Sequence, residues 1–323
     1  AGNEFRQALS EKGQQGVRVY ILYDEIGSQK LTKAYLQGLR RSGIQVSAFK
    51  STKGRGNRFQ LNFRNHRKIL VVDGRTAFLG GLNLGDEYLG QDPRFGPWRD
   101  THMKVQGPAV QCLQLSFLKD WYWAVREIPE TIWEVGAVQE CNETVLILPT
   151  GPADSLPACT LFFDSAINLA RHRLWIASPY FVPDESTLAA LKMAALRGVD
   201  VRILLPNNPD HLMVYLSSFS YYSEMQAVGI QIYRYKTGFM HQKVILIDDL
   251  LAGVGTVNLD NRSFHLNFEV MGFVTNDSFI ASVEGMLKSD LAGSYPINLA
   301  DYQSKPLWFK LAVKVSRLMA PIQ

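Results

Sequence analysis

Two histidines, two lysines and two asparagines recur in this chain at the same offsets. His66 is followed by Lys68, the apolar run Ile69-Leu70-Val71-Val72, Asp73, Gly80-Gly81 and Asn83; His241 is followed by Lys243, the run Val244-Ile245-Leu246-Ile247, Asp248, Gly255-Thr256 and Asn258. The span from His to Asn is 17 residues in both copies. Five fixed residue types at fixed offsets should match a given position by chance about once in a million, so two matches mean duplication. A lone His-x-Lys would read as a surface histidine beside a lysine. The second copy overturns that reading.

These residue types suit transfer of a phosphoryl-type group. An imidazole can attack phosphorus or move a proton, and two of them can work from opposite sides of an in-line displacement. Lys68, Lys243, Asn83 and Asn258 can bind non-bridging oxygens and stabilise developing charge, the work a metal does elsewhere. The reading calls for no metal and no cofactor. A histidine so used needs its other ring nitrogen held by an acceptor. Asp100, in Trp98-Arg99-Asp100-Thr101-His102, and Glu269, in Asn267-Phe268-Glu269, are the candidates. The glycines Gly80, Gly81 and Gly255, the last beside Thr256, are expected to let backbone approach a ligand closely. The symmetry of the repeat does not say which histidine is the nucleophile.

Strand periodicity places these groups. Alternation puts His66, Lys68, Leu70 and Val72 on one face and Ile69, Val71 and Asp73 on the other, and the second copy repeats this. Asp73 and Asp248 therefore point away from the chemistry. They read as structural, at the turns of two hairpins. Around the hairpins, strands are expected at Val17–Tyr23, Ile44–Phe49, Thr101–Val105, Thr144–Leu148, Leu174–Ala177, Val201–Leu205, Ile230–Tyr235 and from Glu269 to Val274. Helices are expected near 29–42, 108–126, 158–171, 185–197, 211–227 and 278–291. Strands separated by helices predict an α/β fold with mixed sheets covered by helices. Gly43-Ile44-Gln45-Val46 is echoed by Gly229-Ile230-Gln231-Ile232, and Gly16-Val17-Arg18-Val19 by Gly198-Val199-Asp200-Val201. The first half carries an 11-residue insertion between its Gly43 echo and His66, in the stretch holding Lys53, Arg55, Arg58 and Arg64. Residues 1–126 form one half, 127–142 a linker, 143–300 the second half and 301–323 a tail.

The duplicated frame resembles the signature of the phospholipase D superfamily and, more closely, its bacterial cardiolipin synthases. Further residues carry that likeness: Gly96-Pro97-Trp98-Arg99-Asp100-Thr101-His102, Ser178-Pro179-Tyr180-Phe181-Val182-Pro183, Gly255-Thr256-Val257-Asn258-Leu259-Asp260 with Arg262-Ser263, Asn267-Phe268-Glu269, and Lys305-Pro306-Leu307-Trp308. Gly81 departs from it, since many members carry Ser there. The resemblance implies two pseudo-symmetric halves with the active site at their interface, His66 as nucleophile and His241 as acid and base. It also implies a phosphohistidine intermediate, phosphatidylglycerol as donor and acceptor, and cardiolipin and glycerol as products. A hydrolase of the same superfamily, phospholipase or nuclease, is the alternative. A non-catalytic lipid binder is disfavoured by two intact motifs.

With 323 residues, 46% of them apolar, the chain can bury a sizeable core. Three cysteines (Cys112, Cys141, Cys159) without metal-ligand spacing suggest a reducing compartment. No window approaches a membrane-spanning apolar run, and no signal peptide is evident. The net charge is only +4, but from Ile26 to Val72 eleven basic residues occur and no acidic one. Such a run calls for an anionic partner, lipid head groups or nucleic acid. The tail favours lipid. Its Leu307, Trp308, Leu311, Val315, Leu318 and Met319 fall at helical spacing among Lys310, Lys314 and Arg317, as in a helix lying in a membrane interface. A helix docked on the protein's own core is the competing expectation. The partners expected are thus anionic phospholipid and a membrane surface, not nucleic acid. The resemblance adds a location at the cell membrane, facing the cytoplasm.

The halves align at Gly16 and Gly198. Upstream of Gly198 the second half has two strands and two helices; upstream of Gly16 only 15 residues stand. The native chain is therefore expected to begin earlier, with further strands, and the resemblance to cardiolipin synthases implies a membrane anchor there as well.

Overall fold

Val244–Ile247 is four apolar residues in a row and all four are buried, because the strand is covered on both faces. It is the centre of a mixed sheet. Arg173–Ala177 and Leu251–Gly255 flank it, both antiparallel to it. Beyond Arg173–Ala177 the order runs to Asp200–Pro206, Gln231–Tyr235 and Ser294–Pro296; on the other side come Asn267–Val274 and Val145–Thr150. The strands at 173, 200 and 231 are parallel, as crossovers through helices Glu185–Leu196 and Leu212–Ala227 require. The chain is described here from a computed structural model, covering residues 1–49, 63–135 and 143–323. The end of the expected linker, and most of the basic insertion, with Lys53, Arg55 and Arg58, lie outside the described residues.

In the first half, Tyr20–Asp24 pairs in parallel with Gln45–Phe49, and Ile69–Val72, Thr76–Gly80 and His102–Gln106 form an antiparallel sheet. No strand among the described residues joins these two groups in the way Arg173–Ala177 joins its neighbours. The consequence shows in the motif strands. Ile245 and Ile247 are buried under helices, whereas their counterparts Leu70 and Val72 are exposed.

Two apolar cores result. One lies between the large sheet and helices Ala158–Leu169, Glu185–Leu196 and Leu212–Ala227. The other joins the halves, packing Ala77, Leu79 and Met103 with Met240, Val254 and Val270. The halves also exchange short strands: Arg64–Asn65 pairs in parallel with Asn267–Phe268, and Trp98–Arg99 with Phe239–Met240. Both crossings lead straight into a motif histidine.

Both hairpin turns form as expected, with Asp73 and Asp248 at positive φ, 53° and 48°. The Asp248 carboxylate also accepts the backbone N–H groups of Arg171, His172 and Arg173 at 2.7–2.9 Å, tying the turn to the start of the next strand. The helix expected from 29 begins only at Lys33, because the Thr32 hydroxyl accepts the Tyr35 N–H and caps it there. Helix Gly2–Gln14 fills the segment before Gly16.

The two expectations for the tail turn out to be compatible. Helix Leu307–Leu318 seats Phe309, Val313 and Ser316 on helix Leu212–Ala227, with the Ser316 hydroxyl donating to the Met213 carbonyl at 2.6 Å. The stripe read from spacing lies on another face and stays 40–83% exposed. No helix among the described residues is long and apolar enough to cross a membrane.

Candidate active site

The exchanged strands bring the histidine and lysine of each copy together with a carboxylate from the other half. His66 donates its backbone N–H to Phe268 O at 2.9 Å, and the next residue along, Glu269, meets the His66 ring at Nδ1, 2.9 Å from both carboxylate oxygens. The second copy repeats this with the halves interchanged. His241 N–H donates to Arg99 O at 2.8 Å, and Asp100 holds His241 Nδ1 at 2.8 Å. Each histidine is therefore oriented through Nδ1 by a carboxylate from the other half, which turns Nε2 to the chemistry.

The lysines match as well. Lys68 Nζ donates to His66 O at 2.8 Å, and Lys243 Nζ to His241 O at 2.7 Å. Lys243 also stands 2.9 Å from His241 Nε2. Burial drives Lys68 down to about 7 and Lys243 down to about 8, and each lysine's charge bears on the histidine of the other copy. Burial, then the Lys243 charge, takes His241 down to about 4; burial also lowers His66. Burial alone would raise Asp100 and Glu269, but their histidine partners and the lysines outweigh it, and both carboxyls lie below the ordinary range. The free site thus holds two carboxylates, two neutral imidazoles and two lysines that can meet an anion while they keep their protons.

The carboxylates are held differently. Glu269 also accepts from the hydroxyls of Thr256 at 2.5 Å and Ser263 at 2.9 Å and from the Asn267 amide at 3.1 Å. Asp100 has the Thr101 N–H at 2.8 Å and a long contact from the Trp98 indole at 3.4 Å. Gly81 explains the difference, since a Cβ on it would lie 2.0 Å from Asp100 Oδ1. The shorter carboxylate occupies the space that the Thr256 side chain fills in the other copy. The motif glycines also admit neighbouring protein groups, Asp100 at Gly81 and Val270 O at Gly255.

The asparagines also differ. Asn258 is buried with its Oδ1 unpartnered among the described residues, while exposed Asn83 bonds through its amide to the Tyr88 hydroxyl. Residues that the spacing did not single out support the motifs. Between His and Lys, Arg67 pairs with Asp120 of helix Ala109–Val125 at 2.6 Å, and Gln242 donates to Asp290 of helix Asp277–Ala292 at 2.7 Å. Arg99 adds a two-pronged pair to Asp290 at 2.9 and 3.0 Å. A buried acid late in each apolar helix was the available signal. Trp98, Tyr88 and Phe239 surround the His241 ring.

A duplicated fold with paired histidines and lysines at the seam defines a phospholipase D-type centre. The family model described as "Cardiolipin synthase, PLD-like domain" matches residues 1–93 and 163–291. The proteins named cardiolipin synthase A from Pseudomonas fluorescens (strain SBW25) and Pseudomonas aeruginosa (strain LESB58) are each 49% identical to 99% of this chain, which spans 67% and 65% of their lengths. The crystal structure of a phosphatidylserine synthase from Haemophilus influenzae Rd KW20 shares the fold with a TM-score of 0.68 at 14% identity, over 100% of this chain and 94% of that one. A polyphosphate kinase from Porphyromonas gingivalis follows at 0.60 and 13%, covering 97% of this chain and 46% of its own. The chain belongs to the cardiolipin synthase family of phospholipase D-like proteins.

Proposed function

We propose that this chain transfers a phosphatidyl group from one phosphatidylglycerol to another, forming cardiolipin and releasing glycerol. The observation that carries the chemistry is the crossed pairing of His66 with Glu269 and His241 with Asp100 beside both lysines. The substrate comes from the relatives' name. His66 Nε2 attacks phosphorus, the bond to the glycerol oxygen breaks, and that oxygen takes a proton from His241. A hydroxyl of the second lipid then gives its proton to His241, bonds to phosphorus and displaces His66. His66 keeps 26% of its side chain exposed against 8% for His241, which favours His66 as the atom donor to phosphorus. His241 is neutral in the free site, and a phosphodiester anion set against Lys68 and Lys243 offsets their field and lets it hold the proton it must donate. Asn258, its amide rotated, would add donors to the same oxygens.

Labelled phosphatidylglycerol in vesicles tests this: cardiolipin is the expected main product. Phosphatidic acid as the main product, or efficient cleavage of single-stranded DNA in the same format, would replace the reading with a hydrolase.

Acidity should act through the lysines. They are charged below their pKa values of about 7 and about 8 and neutral above, so kcat/KM is expected to fall as pH rises through that window. A flat profile from about pH 6 to 9 would remove the two ammonium groups from substrate binding.

The same reading places the chain at the cytoplasmic face of the cell membrane. The exposed stripe of helix Leu307–Leu318, flanked by Lys310 and Lys314, would lie in the interface of an anionic bilayer. Replacing Trp308 and Leu311 by Ser is expected to weaken sedimentation with anionic vesicles, and added salt to weaken it further, at about 1 kcal/mol per basic residue. Binding indifferent to both changes would contradict this placement.

A further inference from the structure

One carboxylate near the centre is used by none of these steps. Asp210 follows strand Asp200–Pro206 and precedes helix Leu212–Ala227. Its side chain is 18% exposed, yet no lysine or arginine among the described residues pairs with it, and its nearest basic group is the exposed His211 ring at 4.0 Å. A carboxylate so withdrawn from water is costly unless donors surround it. Two are present: the Tyr180 hydroxyl at 2.6 Å and the His211 N–H at 2.8 Å. A carboxylate can accept about four hydrogen bonds, so capacity remains.

That capacity borders a small cleft, with room for about one water-sized group such as a hydroxyl, walled by Tyr180, Pro206, Pro209, Asp210 and Arg234. The cleft adjoins the second motif. Ser178, two residues before Tyr180, accepts the Leu259 N–H at 3.0 Å, next to Asn258, and strand Phe181–Val182 pairs with Leu259–Asp260. The Asp210 charge is felt at Lys243. Arg234 in the same wall already donates to the Pro206 carbonyl and the Tyr222 hydroxyl, which leaves the Asp210 carboxylate as the group there suited to a hydroxyl donor.

Resting on the transferase reading, we propose that Asp210, oriented by Tyr180, binds the secondary hydroxyl of the acceptor's glycerol and so aims the neighbouring primary hydroxyl at phosphorus. Asp210 then selects a vicinal diol over acceptors with a single hydroxyl. The primary hydroxyl oxygen bonds to phosphorus as the phosphorus–nitrogen bond to His66 breaks, and its proton passes to His241. Asp210 gains and loses no proton.

The test compares wild type with Asp210→Asn on labelled phosphatidylglycerol vesicles, with and without ethanol as a competing acceptor. Cardiolipin formation is expected to fall about tenfold or more, the size of a lost charge-assisted hydrogen bond, while with ethanol present phosphatidylethanol formation and total glycerol release change by no more than about threefold. Tyr180→Phe should move the same ratio in the same direction by a smaller factor, and it decides the matter if Asp210→Asn does not fold. A parallel fall in cardiolipin and phosphatidylethanol, or an unchanged ratio, overturns the proposal. Wild type yielding mainly phosphatidic acid would instead retire the transferase reading and this inference with it.

Discussion

His66→Ala is expected to abolish turnover, by roughly 10⁴-fold or more, because it removes the nucleophile while His241 is committed to proton transfer. The fold should survive, since the ring is part exposed and its removal leaves Glu269 with three other donors. His241→Ala should cost about 10²- to 10⁴-fold, the usual worth of a general acid and base. Steady-state rates on phosphatidylglycerol vesicles, with thermal melting as a control for folding, check both. Retention of more than about a tenth of the activity by a folded His66→Ala variant would contradict the nucleophile's assignment.

The orienting carboxylates should separate the two histidines' roles. Glu269→Gln places an amide against His66 Nδ1. If its NH₂ faces the ring, Nδ1 becomes the acceptor and the proton moves to Nε2, which then cannot attack. A loss of roughly 10²- to 10⁴-fold is expected, as for other triads given the wrong tautomer. Asp100→Asn acts on a histidine that carries protons on both nitrogens when it works as the acid, so about 10- to 100-fold is expected. Neither variant should be fully inactive. Rates measured for both are informative in their order: a larger loss for Asp100→Asn than for Glu269→Gln would exchange the roles, and no loss in either would remove both carboxylates from the mechanism.

The motif repeat made the chemistry legible because its residue types are fixed by function and do not depend on packing. Both candidate carboxylates stood out in the same way, Asp100 and Glu269 each opening a strand-like run. Their partners did not. Which carboxylate serves which histidine is set by the pairing of Asn65 with Phe268 and Arg99 with Met240, contacts 141 to 203 residues apart in sequence that leave no periodic trace. The role of Gly81 was equally hidden, since it depends on where the Asp100 carboxylate comes to rest. Most helices and strands lie within a few residues of their expected bounds, for their apolar periods are local. The tail shows the limit of that method. Its exposed stripe has a clean helical period, and its docking face, Phe309, Val313 and Ser316, carries only two apolar residues and a serine that finds its partners in another helix.

The central claim is that phosphorus passes through a covalent bond to His66. The most direct measurement is to quench the enzyme with denaturant during turnover of phosphatidylglycerol labelled at phosphorus and to map the label by peptide mass spectrometry. An acid-labile, base-stable adduct on the peptide carrying His66, absent from His66→Ala, is the expected result. An adduct on His241, or turnover to cardiolipin with no adduct at any quench time, would contradict it.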